Sequence, residues 1–396
     1  MNKRKKLSLI ICLVVQSTLI AQENEANESG HGMMATESQP QCDYKEEPGS
    51  CPYSCDEQKN VPCNRGITFE AGPQVVCGWN LYITGDFLYW TAKEDGIAYA
   101  TTGSAPQNAT VSVPEEGSIR HPNESWDPGF KVGMGYNFPF DGWDIYAQYT
   151  NFNTHNSRSY SSNPQNPNNQ LANIWGIGGS GIGNSTNLPP NQAINSASSK
   201  WNLDFDLIDL EIARNYYVGR CLAIRPHFGL RGSWQDQYYD VIYLTPPIGG
   251  PGVLNQWTMT QKMDYWGIGL RSGLDSSWKL FRYFSFFVNG AVSVLLSHFE
   301  VHRTDNQIAF DANDLPVSNL DLLRTRNSYY SLKGVFDFFI GLRFEKWTEN
   351  ERFYFKLDAG WEEQLWISQS NFFRLEENAH GDLGLHGLVI KMQMTF

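Results

Sequence analysis

The chain has 396 residues, 30 of them basic and 42 acidic, for a net charge of −12. That balance excludes nucleic acid as a partner, because nucleic-acid binding needs clustered Lys and Arg. A mean hydropathy of −0.42 excludes a bundle of apolar membrane helices, but not a transmembrane β-barrel, where half of each strand faces a polar lumen.

Lys3, Arg4, Lys5 and Lys6 precede an apolar run from Leu7 to Ile20, and Ala21 fits the last residue before cleavage. The run is shorter than the roughly 20 apolar residues of a membrane helix. Residues 1–21 are therefore predicted to be a signal peptide. Its loss removes four basic residues and takes the net charge to about −16.

Residues 22–78 are polar and acidic, with no sustained period, and are predicted to form a cysteine-rich periplasmic extension. Cys42, Cys51, Cys55, Cys63 and Cys77 fall within 36 residues, and Cys221 stands far from them. An exported chain meets an oxidising compartment, so disulfides are expected ahead of metal. No C-x-x-C pair is present, and no metal or cofactor is expected. The pairing is left open: five clustered cysteines leave one for Cys221 or for another molecule.

From Trp79 to Phe396 the pattern changes to alternation with a period of two, which marks strands. It recurs ten times: Asn80–Trp90, Phe130–Phe138, Trp143–Phe152, Trp201–Val218, Leu222–Trp234, Met263–Trp278, Arg282–His298, Tyr330–Trp347, Arg352–Trp366 and a terminal segment ending at Phe396. In the fourth, the apolar phase shifts between Leu207 and Ile208, which predicts a β-bulge. Tight connections at 139–142, 219–221, 279–281 and 348–351 alternate with long ones at about 91–129, 153–200, 235–262, 299–329 and 367–381. Short periplasmic turns and long external loops are the sidedness of an outer-membrane barrel. The fold class predicted is all-β: an antiparallel transmembrane β-barrel of about ten strands. Twelve is the alternative if Tyr239–Leu244 and Ile97–Thr102 form a further hairpin instead of extending their neighbours.

The phases assign faces. Phe130, Val132, Phe228, Phe336, Phe338, Ile340, Leu342, Phe353, Phe355, Ile390 and Met392 are expected to face lipid. The opposite phase holds Lys131, Asp209, Glu211, Arg225, His227, Arg231, Arg271, Asp337, Arg343, Lys356, Asp358 and Lys391, the candidate pore-lining set. These charges either line a water-filled path or pair across a closed lumen. Gly133, Gly135, Gly229, Gly269 and Gly341 share the inward phase and are expected to leave room.

Enzyme motifs are scarce. Asp204 and Asp206 form a D-x-D, read most simply as two lumen-facing carboxylates. No D-x-H, G-x-S-x-G or H-E-x-x-H is present, so the chain is expected not to be an enzyme. His298 and His302 are read as polar residues at a loop edge.

Leu388, Ile390, Met392, Met394 and Phe396 share one face of the last strand. This resembles the terminal strand of bacterial outer-membrane barrels, where such residues look like an assembly signal read by the barrel assembly machinery. Gly129–Tyr136 (GFKVGMGY), preceded by Trp126-Asp127-Pro128, lies between LYITGDFLYW (81–90) and WDIYAQYTNF (143–152). In that order the motifs, from about Trp79 to Phe396, resemble the major-outer-membrane-protein-like pore-forming proteins of legionellae and chlamydia-related bacteria. The resemblance implies a surface-exposed porin in the outer membrane, in contact with its lipid, passing small hydrophilic solutes or ions. The cysteine-rich front resembles disulfide-crosslinked envelope proteins, which implies disulfide-linked envelope partners or a homo-oligomer. The alternative function is a surface adhesin or structural envelope protein with the barrel as anchor.

Overall fold

Backbone pairing follows the alternation. The computed structural model describes residues 69–70, 75, 78–104, 117–138, 141–162, 170–175, 194–219, 221–245, 254–348, 352–374 and 380–396. The signal peptide and the five clustered cysteines lie outside the described residues. Ten long strands form one antiparallel ring: β1 (Leu81–Glu94), β2 (Trp126–Asn137), β3 (Trp143–Ser161), β4 (Ser196–Arg214), β5 (Leu222–Thr245), β6 (Leu254–Lys279), β7 (Phe284–Phe310), β8 (Pro316–Trp347), β9 (Tyr354–Ser370) and β10 (Gly381–Thr395). The ring closes where β10 pairs with β1, from Leu383↔Glu94 to Thr395↔Tyr82. Leu81 and Phe396 then exchange two backbone hydrogen bonds, of 3.2 and 2.9 Å. The aromatic C-terminus thus completes the seam, and no strand edge is left facing lipid there.

The predicted tight turns lie at one end. Between β2 and β3, Asp141 and Gly142 both take positive φ, 59° and 68°, a conformation that Asp and Gly tolerate best. The Phe138 N–H donates to the Trp143 carbonyl at 2.8 Å across that turn. At the other end the wall is uneven. β5 to β8 run for 24, 26, 27 and 32 residues, whereas a tilted strand needs only about 9–11 to cross a membrane. Most of the segments expected as the third and fourth long loops are therefore strand. Hydrophobic alternation weakens above the membrane, which is why sequence stopped these strands too early. Tyr239–Leu244 extends β5, and the ring holds ten strands.

The outer face carries an apolar band. Phe87, Phe130, Val132, Phe228, Ile268, Leu270, Val294, Phe336 and Met392 are all about half exposed. Its long-loop border is aromatic: Tyr89 stacks on Trp126 with ring centroids 5.6 Å apart, and Trp126 meets Trp361 edge-on at 5.8 Å. Such rings suit the boundary between hydrocarbon and headgroups.

Beyond that border the two faces exchange character. On β4, Ile208, Leu210 and Ile212 point outward, while Leu203, Phe205 and Leu207 point inward and are fully buried. The phase shift at Leu207/Ile208 reflects this exchange and is not a bulge, because β3–β4 pairing runs in unbroken register from Trp143↔Arg214 to Ser161↔Ser196. Asp204 and Asp206, on the even phase, therefore lie outside the barrel and not in its lumen. Asp206 accepts hydrogen bonds there from the Tyr149 hydroxyl at 2.6 Å and the Asn151 amide at 2.8 Å.

Candidate functional site

The lumen has two storeys. In the short-turn half, inward positions of nine of the ten strands bring charges together, and β7 adds the polar Ser285 and Asn289. Arg225 donates to Asp144 at 2.7 Å and Asp275 at 2.9 Å, and lies 3.4 Å from Glu211. Arg231, with a side chain only 1% exposed, bridges Asp209 at 2.7 Å and Asp337 at 2.8 Å. Arg271 joins Glu211 at 3.0 Å and also meets Asp337. Arg343 pairs with Asp358 at 2.8 Å on the neighbouring strand. Lys391 reaches the Tyr146 hydroxyl at 3.4 Å and lies 4.0 Å from Asp86. His227 is buried between Glu211 and Asp275, at 3.8 and 3.9 Å. Lys356 faces the same space from β9.

Some of these pairs cross the lumen. Lys131 on β2 donates to both carboxylate oxygens of Glu362 on β9, at 2.6 and 2.7 Å, with two strands of the ring between them. A pair removed from water is costly to break, because the survivor is left as an uncompensated charge. These bridges therefore narrow the lumen as well as stiffen it.

A passage nevertheless remains. A cavity of about 190 Å³ opens at the short-turn end, and a second of about 110 Å³ lies deeper. The two share Tyr146, Arg225, Asp275, Asn289, Phe339 and Lys391 in their walls, so they abut. Cys221, in the β4–β5 turn, lines the outer cavity. The inward glycines do less than expected. A Cβ on Gly133 would meet the Tyr146 hydroxyl at 2.5 Å, and one on Gly135 would meet the Tyr82 ring at 2.2 Å. Those tyrosines occupy the room, stacked on each other with centroids 5.6 Å apart.

The long-loop half is largely apolar and packed, around one fully buried ion pair, Arg303 to Asp305 at 2.8 Å. Phe205 and Tyr265 meet Trp366 edge-on at 5.5 and 6.3 Å, and Trp90 packs on Phe152 at 5.6 Å. Two connections fold inward over this layer. Ala100–Gly103 forms a small sheet with Gly117–Arg120 and Gln170–Asn173, and Tyr99 and Trp175 beside it are fully buried. Wall tyrosines hold this plug by its backbone: Tyr239 donates to the Ile97 carbonyl at 2.7 Å, and Tyr243 to that of Tyr99 at 2.5 Å. Arg374 donates to the Gly96 carbonyl at 2.8 Å while its guanidinium covers the Trp175 ring at 4.4 Å. The β9–β10 connection adds Phe372, whose ring lies 5.5 Å from that of Tyr239.

All twelve charged or histidine positions singled out in the sequence point inward. Asp86, Asp144, Asp275, Glu345 and Glu362 join them, and the inward parity of their strands was the signal that would have found them. The plug had no such signal. It comes from connections whose contacts are long-range, such as Trp175 donating to the Ala98 carbonyl at 2.7 Å.

A family model described as Legionella pneumophila major outer membrane protein precursor matches residues 72–396. The chain belongs to that family. Its barrel is accordingly an outer-membrane one, with the short turns periplasmic and the long connections external. Among solved structures, the chain is similar to the Escherichia coli outer membrane protease OmpT, at 12% identity over 80% of this chain and 97% of that one, with a TM-score of 0.31. It is similar also to the Pseudomonas putida toluene transporter TodX, at 9% identity over 80% and 90%, with a TM-score of 0.27. The outer membrane channel DcaP of Acinetobacter baumannii is matched at 9% identity over 82% and 99%, with a TM-score of 0.14. Scores this low carry nothing about function. A search of curated proteins returned no match.

Proposed function

We propose that this major outer membrane protein is a gated porin, passing small hydrophilic solutes or ions by diffusion. The observation that carries the reading is the charged periplasmic cavity, which runs from the short-turn end into the membrane-level lumen and ends against a layer made partly of loop segments. A polar interior is common to pores and anchors alike; what favours a pore is that two abutting cavities leave this one incompletely filled. Inward charge and width would set selectivity, with no catalytic residue and no cofactor involved. Opening requires withdrawal of the segment 96–103, which is fastened by the hydroxyls of Tyr239 and Tyr243 on the wall and by the Arg374 guanidinium of the β9–β10 connection.

The test is single-channel recording of the folded chain in a planar bilayer under a salt gradient. The expected result is discrete steps with a measurable reversal potential, and longer open times when Tyr239 and Tyr243 are both changed to Phe. A folded barrel that stays silent in both forms sinks the porin reading. The packed apolar layer favours a second reading in that event: a surface adhesin or structural envelope protein in which the external connections do the work. Cysteine crosslinking to envelope partners or to further copies belongs to either reading.

A further inference from the structure

On the outer face of β6, β7 and β8 the register stacks five rows of distinct chemistry. Ile268, Leu296 and Leu332 lie side by side at the top of the lipid band, each more than half exposed. The next row is Trp266, His298 and Tyr330, with ring centroids 5.8 Å apart for the first pair and 4.7 Å for the second. Asp264, Glu300 and Ser328 follow, then Lys262, His302 and Arg326, then Thr260, Thr304 and Arg324. A strand rises about 3.4 Å per residue and tilts by roughly 40°. The four steps from Trp266 to Lys262 therefore climb about 10 Å above the aromatic border, a little beyond the roughly 5–8 Å of a phospholipid headgroup layer.

Cations cluster on this sector, and the adjoining strands offer one at these heights, Lys200, which stands opposite Asp240. At the height of Asp264, the adjoining strands β4 and β5 present Asp204 and Asp236, and above them Asn202 and Tyr238. On the basic sector, Lys262 pairs with Asp264 at 2.8 Å, and Glu300 accepts from His302 at 2.8 Å and Arg326 at 2.7 Å. Lys262 and Arg326 keep side-chain exposures of 53% and 63%. Exposed pairs of this kind contribute only about 0–1 kcal/mol, so they are readily exchanged for a phosphate, to which Arg binds through parallel hydrogen bonds. Arg324 stands opposite Thr304, with no carboxylate across from it.

We propose that this sector is a binding site for a phosphorylated glycolipid of the outer leaflet. The acyl chains lie on Ile268, Leu296 and Leu332, the first sugars cover Trp266, His298 and Tyr330, and the phosphates engage Lys262, Arg326 and Arg324. Its occupant is a lipid, because the phosphate-binding row continues directly from a surface already in the hydrocarbon.

The experiment is native mass spectrometry of the full folded chain in detergent, titrated with diphosphoryl lipid A, with phosphatidylglycerol as competitor. Lipid A is expected to stay bound, and its occupancy to fall about tenfold in K262Q/R324Q/R326Q, the factor carried by one charge-assisted contact. K200Q, on the acidic sector, is expected to leave it unchanged. Equal occupancy in wild type and the triple variant overturns the proposal, as does equal retention of phosphatidylglycerol. Folding is checked by the heat-dependent gel mobility of the barrel. If the triple variant does not fold, R324Q decides alone, since it leaves both exposed ion pairs in place: an undiminished occupancy overturns the proposal.

Discussion

Inside this barrel the periplasmic half is charged and the external half is largely apolar, with Arg303–Asp305 its one ion pair among the described residues to be fully buried, and the outer surface has the opposite order. The membrane-level wall shows Phe228 and Leu230 to lipid and Arg231 to the lumen. About 30 Å farther along β5, at roughly 3.4 Å per residue, Tyr239 and Val241 are fully buried inside and Asp240 lies outside. Each half follows its own solvent. Above the membrane the barrel meets water, and burial of apolar area inside stabilises it as in any soluble domain. Within the membrane the apolar side chains already have lipid, so the interior is left to polar groups that must satisfy one another.

The contrast can be broken from either side. Arg231→Ala leaves Asp209 without its bridge and Asp337 with Arg271 alone, and is expected to cost about 4 kcal/mol. Replacing Arg231, Asp209 and Asp337 together by apolar residues of similar volume is expected to restore most of that, since Arg271 keeps Glu211. Urea unfolding of the bilayer-inserted protein, followed by Trp fluorescence, measures both. If the triple replacement stays as unstable as the single one, the cluster does more than neutralise itself. In the external half, Trp366→Ala removes a fully buried ring and is expected to cost about 3 kcal/mol in the same assay.

A lysine placed on the outside reads the border directly. Val132→Lys, in the lipid band, is expected to cost about 2–4 kcal/mol. Asp236→Lys, above the border, should stay within about 0.5 kcal/mol of wild type. Equal costs would put the border in the wrong place. Tyr239→Phe removes the hydroxyl that donates to the Ile97 carbonyl, and a loss of about 1–2 kcal/mol is expected, with longer channel openings as the functional counterpart. For the cysteines, multimers on non-reducing gels that collapse with reductant are expected. Unchanged mobility after replacement of Cys42, Cys51, Cys55, Cys63 and Cys77 removes the crosslinking idea.

Much of the barrel was legible because lipid is a uniform solvent. Alternation such as Phe130, Val132 and Met134 against Lys131 and Gly133 needs no knowledge of a partner strand. The phase reversal at Leu207/Ile208 was visible too, but as sequence it has two causes, a bulge or a change of solvent. Only the unbroken register beside β3 separates them. The height of β5 to β8 was hidden for a related reason: outside the membrane Asp236 and Asp240 are as good outward residues as any loop could offer.

The sequence by itself determined ten strands, their sidedness, their membrane-level faces and the closing role of Phe396. Those features depend on local period and on the chain's contact with lipid or water. The tertiary structure decided that Lys131 meets Glu362 across the lumen, that tyrosines fill the space over Gly133 and Gly135, and that two connections fold in to seal the external half. These are contacts between residues far apart in the chain. Closing the ring brings them together, and no periodicity encodes which charge will face which.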